Sequence, residues 1–243
     1  MPKKRLVASL IVKNGIVVQS VGFKTYLPVG RAEIAARFLD DWGIDEIALL
    51  DIDASPEGRL IDPGLVRRVS RSCYVPVTAG GGIRTIDDIR ALLMAGADKI
   101  AVNRLAFEDL GMLEEASRVF GSQCIIASVD ARQVGVDGYQ AFTDSGRQAT
   151  GLDPADFVKS LAEAGAGEIL LNSIDRDGRK AGYDLALIDR VARVVDVPII
   201  ACGGAGRPEH FLRVLEHPDV SAAAAANIFH FTEHSVALVK SAL

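Results

Sequence analysis

Three aspartates stand at the ends of apolar stretches in this sequence: Asp51 and Asp53 after IALL, and Asp130 after IIASV. A carboxyl group so placed can donate or take a proton if its surroundings raise its pKa. Asp130 is the leading catalytic candidate, because the stretch that carries it is otherwise apolar. Asp51 and Asp53 fit a loop cap or a salt bridge equally well.

Two glycine clusters offer a different chemistry, Gly80-Gly81-Gly82 and Gly203-Gly204-Ala205-Gly206. Each ends an apolar stretch and precedes a helical pattern. Glycine lets backbone N–H groups approach an anion, and a helix N-terminus adds partial positive charge. Each cluster has an asparagine, Asn103 or Asn227, ending the next apolar stretch, and Asp177-Gly178 adds polar groups to the same rim. The candidate phosphate-binding residues are therefore Gly81, Gly82, Asn103, Arg104, Asp177, Gly178, Gly203, Gly204, Ala226 and Asn227. Two such sites suit a phosphorylated small molecule with two separated phosphates.

Four further charges begin apolar stretches: Arg5, Glu46, Lys99 and Glu168. Strand alternation puts Arg5 on the face of Ile11, Lys99 on that of Asn103, and Glu168 on that of Asn172. Glu46 does not share parity with Asp51, so spacing leaves its direction open. A charged ring inside a barrel floor is costly unless paired. Four solvated strand starts fit the same spacing.

The elements that must hold these residues alternate. Apolar runs at 5–12, 46–53, 75–80, 98–103, 124–131, 167–173, 197–202 and 221–227 read as strands. Helical patterns follow, as at 32–42, 85–95, 154–164 and 185–195. Continuous apolar strands are buried on both faces, as in parallel sheets covered by helices. Eight such units in 243 residues predict a (β/α)8 TIM barrel, one domain over residues 1–243, with its site at the C-terminal ends of the strands. Residues 13–30 read as a glycine-containing loop after the first strand, and 133–148 as a small hairpin after the fifth. The halves repeat each other. Val75-Pro76-Val77 with Gly81-Gly82 matches Val197-Pro198-Ile199 with Gly203-Gly204, and Ala8-Ser9-Leu10-Ile11 matches Ala127-Ser128-Val129-Asp130. A duplicated half-barrel explains the matches.

Composition narrows the partners. A net charge of −5 gives a nucleic acid no electrostatic support. The apolar runs are strand-length, so no membrane span is expected, and the N-terminus lacks a signal-peptide pattern. Cys73, Cys124 and Cys202 are scattered and odd in number, which fits reduced residues of a cytoplasmic protein. His210, His217, His230 and His234 form no ligand pattern, so neither a metal nor a cofactor is expected.

The stretches TAGGGIRTIDDIRALLMAGADKIAVN, FGSQCIIASVDA, GAGEILLNSIDRDGRKAGYD, PIIACGGAG and NIFHF closely resemble the cyclase subunit of imidazole glycerol phosphate synthase, the HisF family. The resemblance covers nearly the whole chain. It implies a barrel docked through its floor to a glutaminase partner, whose ammonia passes a charged gate and travels to the mouth. Arg5, Glu46, Lys99 and Glu168 match that gate. Family cyclases use two acid–base aspartates; Asp130 matches one, and the other falls at Ile11. The family's lysine in the first loop falls at Gln19, its threonine beside the first phosphate loop at Arg104, and its threonine on the sixth strand at Asn172.

These departures resemble a divergent HisF-like branch that modifies surface-polysaccharide sugars. That likeness implies work with a glutaminase and an N-acetyl sugar amidotransferase, converting an acetamido to an acetamidino group on a nucleotide sugar. It is the leading expectation. The alternative is the cyclase itself, closing N1-(5′-phosphoribulosyl)-formimino-AICAR ribonucleotide with ammonia into imidazole glycerol phosphate and AICAR. A third is a non-catalytic subunit that only activates a glutaminase.

Overall fold

The computed structural model describes residues 4–231 and 235–242; His234 lies outside them. Its strands are β1 Arg5–Lys13, β2 Ile16–Val21, β3 Thr25–Gly30, β4 Glu46–Asp51, β5 Val77–Gly80, β6 Lys99–Val102, β7 Ile125–Val134, β8 Gly138–Thr143, β9 Gln148–Ala149, β10 Glu168–Ser173, β11 Ile199–Cys202 and β12 Val220–Ala225. Eight of them pair in parallel as a closed ring: β1, β4, β5, β6, β7, β10, β11, β12 and back to β1. Helices lie between successive ring strands, so the chain folds as the expected (β/α)8 barrel. Among the described residues no helix is long and apolar enough to cross a membrane.

Period-two alternation sorts each ring strand into two faces. On β1, Leu6, Ala8, Leu10 and Val12 join the large outer core beneath the helices, while Val7 belongs to a second cluster with Ala48, Ala101, Ile126, Leu170, Ile200, Ala222 and Ala224. The second cluster lines the barrel lumen with small and branched apolar side chains, and the buried hydroxyls of Ser9 and Thr78 share its inward face. The helices begin where the sequence supplies caps. Thr85 and Asp88 form a capping box for Ile86–Met94, and Asp153 caps Pro154–Glu163, whose first-position proline has no N–H to leave unpaired.

Two segments differ from expectation. Residues 13–30 are not a loop: β1 pairs with β2 and β2 with β3, forming a hairpin that rises from the barrel. Gly15 and Gly22 are its turn residues, both at positive φ, and the alternation of IVVQSV is the strand signal that they mask. The predicted strands ending at Asp53, Asn103 and Asn227 overrun. Asp53 lies in a turn, Asn103 is the residue before the short helix Arg104–Glu108, and Asn227 begins the helix Asn227–Phe231. The predicted hairpin at 133–148 is present, because β7 continues past the wall and pairs with β8.

Candidate active site at the barrel mouth

At the floor, Arg5, Glu46, Lys99 and Glu168 meet inside the ring. Arg5 donates to Glu46 and, at 2.7 Å, to Glu168, and also reaches the Ser221 hydroxyl at 3.1 Å. The Lys99 ammonium lies 3.3 Å from Glu46 and 3.2 Å from Glu168. Each cation thus bridges both anions, and the four are not solvated strand starts. Glu46, whose direction spacing left open, is buried and completes the ring. Burial works against the charge on Arg5, but Glu168 and Glu46 outweigh it and hold its pKa above the ordinary guanidinium value. The aliphatic lumen begins directly above.

At the top of the lumen stands Asp130. It is buried, and that burial pushes its pKa up to about 7; Asn172 works in the opposite direction, and Asp177 adds a further upward push. Asn103 Nδ2, just past the end of β6, and Asn172 Nδ2, on β10, approach its two oxygens at 3.4 and 3.5 Å. Such a carboxyl exchanges a proton near neutral pH. Asp51 lines the same cavity as Asp130 and Asp53 does not, and each is held by a cation. Asp51 is tied to Arg59 at 2.7 Å and caps the turn through the amides of Asp53 and Ala54. Asp53 pairs with Lys13 at 2.6 Å and accepts from the Asn14 amide; together these outweigh its burial and keep its pKa below the usual carboxylate range.

One cavity gathers the predicted anion-binding residues. Gly81, Gly82, Asn103 and Arg104 line one side, and Asp177, Gly178, Gly203, Gly204, Ala226 and Asn227 another, with Ile11 and Asp130 between. The glycines of β5 and β11 lie four places apart around the eight-stranded ring, so the cradles oppose each other across the mouth. Their packing repeats. A Cβ on Gly81 would lie 2.6 Å from the Asp51 carbonyl oxygen, and one on Gly203 would lie 2.7 Å from that of Ser173. A Cβ on Gly82 would lie 1.7 Å from the Arg59 oxygen, and one on Gly204 2.1 Å from that of Gly182. The same approach of the preceding loop in both halves supports duplication. It also gives these glycines a packing reason independent of any ligand.

The carboxylate of Asp177 is not free for an anion. It accepts from the Ser20 hydroxyl at 2.7 Å and the Phe23 amide at 3.2 Å, although burial still raises its pKa. Asn227 Nδ2 donates to the Ser20 carbonyl at 2.8 Å. Both residues therefore fasten the β2–β3 hairpin over the second cradle. The β7–β8 hairpin leans toward the first: Arg104 meets Asp144 at 3.3 Å, and Arg147 reaches the Ile52 carbonyl at 3.4 Å. The tips meet, since a Cβ on Gly146 would lie 3.0 Å from the Phe23 ring. Two hairpins from opposite strands thus roof the mouth. Gln19, on β2, does not line the cavity, whereas Ser20 does.

Sequence reading missed Ser9, Phe23, Tyr26, Asp144, Ser145 and Cys202 as cavity-lining residues. Ser9 shares strand parity with Ile11, which is a signal for it. Asp144 and Ser145 sit at positive φ in the turn before Gly146, a conformation that sequence does not announce for them. Among the described residues no three potential metal-ligating side chains cluster.

The fold and site define a duplicated (β/α)8 barrel with a charged floor, an aliphatic lumen and a mouth that combines one titratable carboxyl with two opposed glycine cradles. Residues 5–235 match the family model described as histidine biosynthesis protein, and the chain belongs to that family. Relatives named imidazole glycerol phosphate synthase subunit HisF include those of Streptococcus mutans serotype c (42% identical), Hydrogenobaculum sp. (43%) and Hyphomonas neptunium (44%). Each comparison spans 100% of this chain, and 97%, 96% and 96% of the respective relative.

Proposed function

We propose that this chain is the ammonia-receiving synthase subunit of a glutamine-dependent enzyme, and that its reaction is the one for which its relatives are named, imidazole glycerol phosphate synthesis. The observation that carries this reading is Asp130, poised near pKa 7 at the end of an aliphatic lumen and between two opposed cradles. Such a mouth fits an elongated substrate with a phosphate at each end better than one with adjoining phosphates. A glutaminase docked at the floor would supply ammonia past Arg5, Glu46, Lys99 and Glu168. The nonpolar lumen favours the neutral molecule over ammonium, because an unpaired ion is expensive there. Asp130 would then take a proton from the attacking nitrogen.

A second reading has its own observation. Ile11 lines the mouth from β1, and that strand carries no acid. Ring closure by this chain would therefore lack one of the family's two proton-transfer groups, typically worth a factor of about 10²–10⁴. Arg104 adds a guanidinium to the rim. Both features favour an amidination pathway in which the barrel conducts ammonia to an N-acetyl sugar amidotransferase acting on a nucleotide sugar.

One assay divides the readings. The purified chain is given N1-(5′-phosphoribulosyl)-formimino-AICAR ribonucleotide and a high ammonium concentration, without a glutaminase. Release of AICAR at a rate comparable with the Streptococcus mutans relative supports the first reading. Absence of turnover, with recovery in Ile11→Asp, supports the second. Absence in both proteins removes the cyclase reading altogether.

A further inference from the structure

We propose that Ser221 is a positioning residue of the floor ring: carried in a β-bulge of β12, its hydroxyl fixes the Arg5 guanidinium between Glu46 and Glu168. This rests on the ammonia-receiving reading above and adds a residue to its gate.

The bulge is the first observation. Ile199 on β11 pairs with Val220 of β12, and the next residue, Ile200, pairs with Ala222. On the other side, Arg5 of β1 is in register with Ala222. Ser221 is therefore an extra residue, with no register partner on either neighbouring strand. Above it β12 alternates regularly: Ala222 and Ala224 face the lumen, Ala223 and Ala225 the helices. Continued downward, that alternation would turn Ser221 toward the helices, away from Arg5. The extra residue breaks it. Bulges are enriched at barrel rims and beside active sites, where they re-aim a side chain. Here the re-aimed hydroxyl lies 3.1 Å from Arg5 Nη2. The lead-in to the bulge is held as well. The Lys4 ammonium donates to the carbonyls of His217, Pro218 and Val220 at 3.0, 3.2 and 2.6 Å. Lys4 and Arg5 are consecutive, so one short piece of backbone grips both the lead-in and the bulged residue.

The hydrogen bonding decides what this contact does. The Ser221 hydroxyl has one proton, which it donates to the Ile199 carbonyl at 3.2 Å. Its lone pairs are left for Arg5. Arg5 Nη1 donates to Glu46, and Nη2 donates to Glu168 at 2.7 Å and to Ser221. Nη2 carries two N–H groups, so both are used. The planar guanidinium cannot turn about its Nε–Cζ bond without breaking these contacts. Lys99 is held differently: a compact ammonium with rotatable donors, 3.3 Å from Glu46 and 3.2 Å from Glu168. Arg5 is thus the fixed cation of the ring. A hydroxyl suits the task. The two cations balance the two anions, and a third carboxylate at this position would leave a net charge in a largely buried site. Ser221 adds an acceptor without adding a charge.

Arginine NMR reads the anchor directly. The full chain carries ¹³C- and ¹⁵N-labelled arginine, and the Arg5 signals are assigned by their loss in Arg5→Lys. A held guanidinium turns slowly about Nε–Cζ, so its two Nη signals stay apart. In Ser221→Ala that rotation should be about tenfold faster, as for loss of a hydrogen bond to a charged group. Ser221→Thr keeps the hydroxyl and should retain the wild-type rate. Ser221→Val has the shape of threonine without the hydroxyl and should behave like the alanine variant. In the complex with a glutaminase, glutamate released per product formed should rise in the alanine and valine variants and stay at the wild-type ratio in the threonine variant. Equal rotation rates in wild type, Ser221→Ala and Ser221→Val overturn the proposal. Equal acceleration in Ser221→Thr and Ser221→Val does so too, because packing and not the hydroxyl would then hold Arg5. Faster rotation with an unchanged ratio leaves the anchor and removes the gate from the ammonia-receiving reading. A raised ratio with unchanged rotation keeps the gate and overturns the anchor.

Discussion

Ile11 and Asp130 look at each other across the mouth from β1 and β7, strands four places apart in the eight-stranded ring. They occupy equivalent positions of the repeat, after Ala8-Ser9-Leu10 and Ala127-Ser128-Val129. The duplication therefore gives the two halves matching places at the mouth, one holding a carboxyl and the other a hydrocarbon. Ile11 places no charge opposite the Asp130 carboxylate, and burial is the main reason for its raised pKa.

Asp130 should therefore govern the pH dependence. A general base must be ionised, so kcat/KM is expected to rise with pH and level off above about 7. Asp130→Asn should lower kcat by about 10²–10⁴. Stability moves oppositely. Folding raises this pKa, so the stabilising contribution of the neutral carboxyl is complete below its unfolded value and is lost as pH rises through about 7. The asparagine variant should gain Tm over wild type, and gain more at about pH 8 than at about pH 5, by a difference on the order of 2 kcal/mol. Calorimetry at both pH values measures this; equal gains would exclude a titrating Asp130.

The floor makes a separate prediction. Lys99 and Arg5 each bridge Glu46 and Glu168. Removing Lys99 leaves two largely buried carboxylates sharing a single cation. Lys99→Ala should lower stability by about 1–3 kcal/mol. It should also uncouple glutamine hydrolysis from product formation in the complex with a glutaminase, while turnover driven by external ammonium is kept. Stoichiometric coupling in Lys99→Ala, measured as glutamate released per product formed, would argue against a gate.

Arg104 tests the rim. Its guanidinium reaches Asp144 in the β7–β8 turn and Glu108 on its own helix, and both carboxylates raise its pKa. The side chain is partly exposed, so these pairs contribute little to global stability, about 0–1 kcal/mol. Their local effect should be larger. In Arg104→Thr, amide hydrogen exchange at residues 144–147 should speed up, and affinity for inorganic phosphate should fall several-fold, as for loss of a charge-assisted contact. Unaltered phosphate titrations in the variant would assign Arg104 to holding the turn alone.

Much of this architecture is readable from alternation. Arg5, Lys99 and Glu168 fall on the same strand faces as Ile11, Asn103 and Asn172, and those faces line the lumen. Side-chain parity is a local property, so one sequence is sufficient to show it. What escapes is what depends on another element's approach. Asp177 resembles an anion-site residue in sequence, but its carboxylate is taken by Ser20 and Phe23 from a hairpin more than a hundred residues away in the chain. Asp51 is likewise tied down by Arg59, which a turn brings back onto it. Orphaned atoms such as Asn172 Oδ1 cannot be inferred from sequence at all, because being unpaired is a statement about all neighbours at once.

The glycine cradles permit a comparison that separates space from backbone conformation. Gly82 and Gly15 both have positive φ, 66° and 76°. A Cβ on Gly82 meets the Arg59 carbonyl oxygen at 1.7 Å, whereas one on Gly15 meets nothing within 4 Å. Gly15→Ala should cost only the left-handed conformation, about 1 kcal/mol. Gly82→Ala bears that cost and must also displace the backbone at Arg59, which the Arg59–Asp51 pair resists. It should cost on the order of 3–4 kcal/mol in urea unfolding and should weaken phosphate binding at the first cradle, while Gly15→Ala leaves that binding unchanged. Equal losses of stability would show that Gly82 is there only for its φ, and that the loop at Arg59 yields freely.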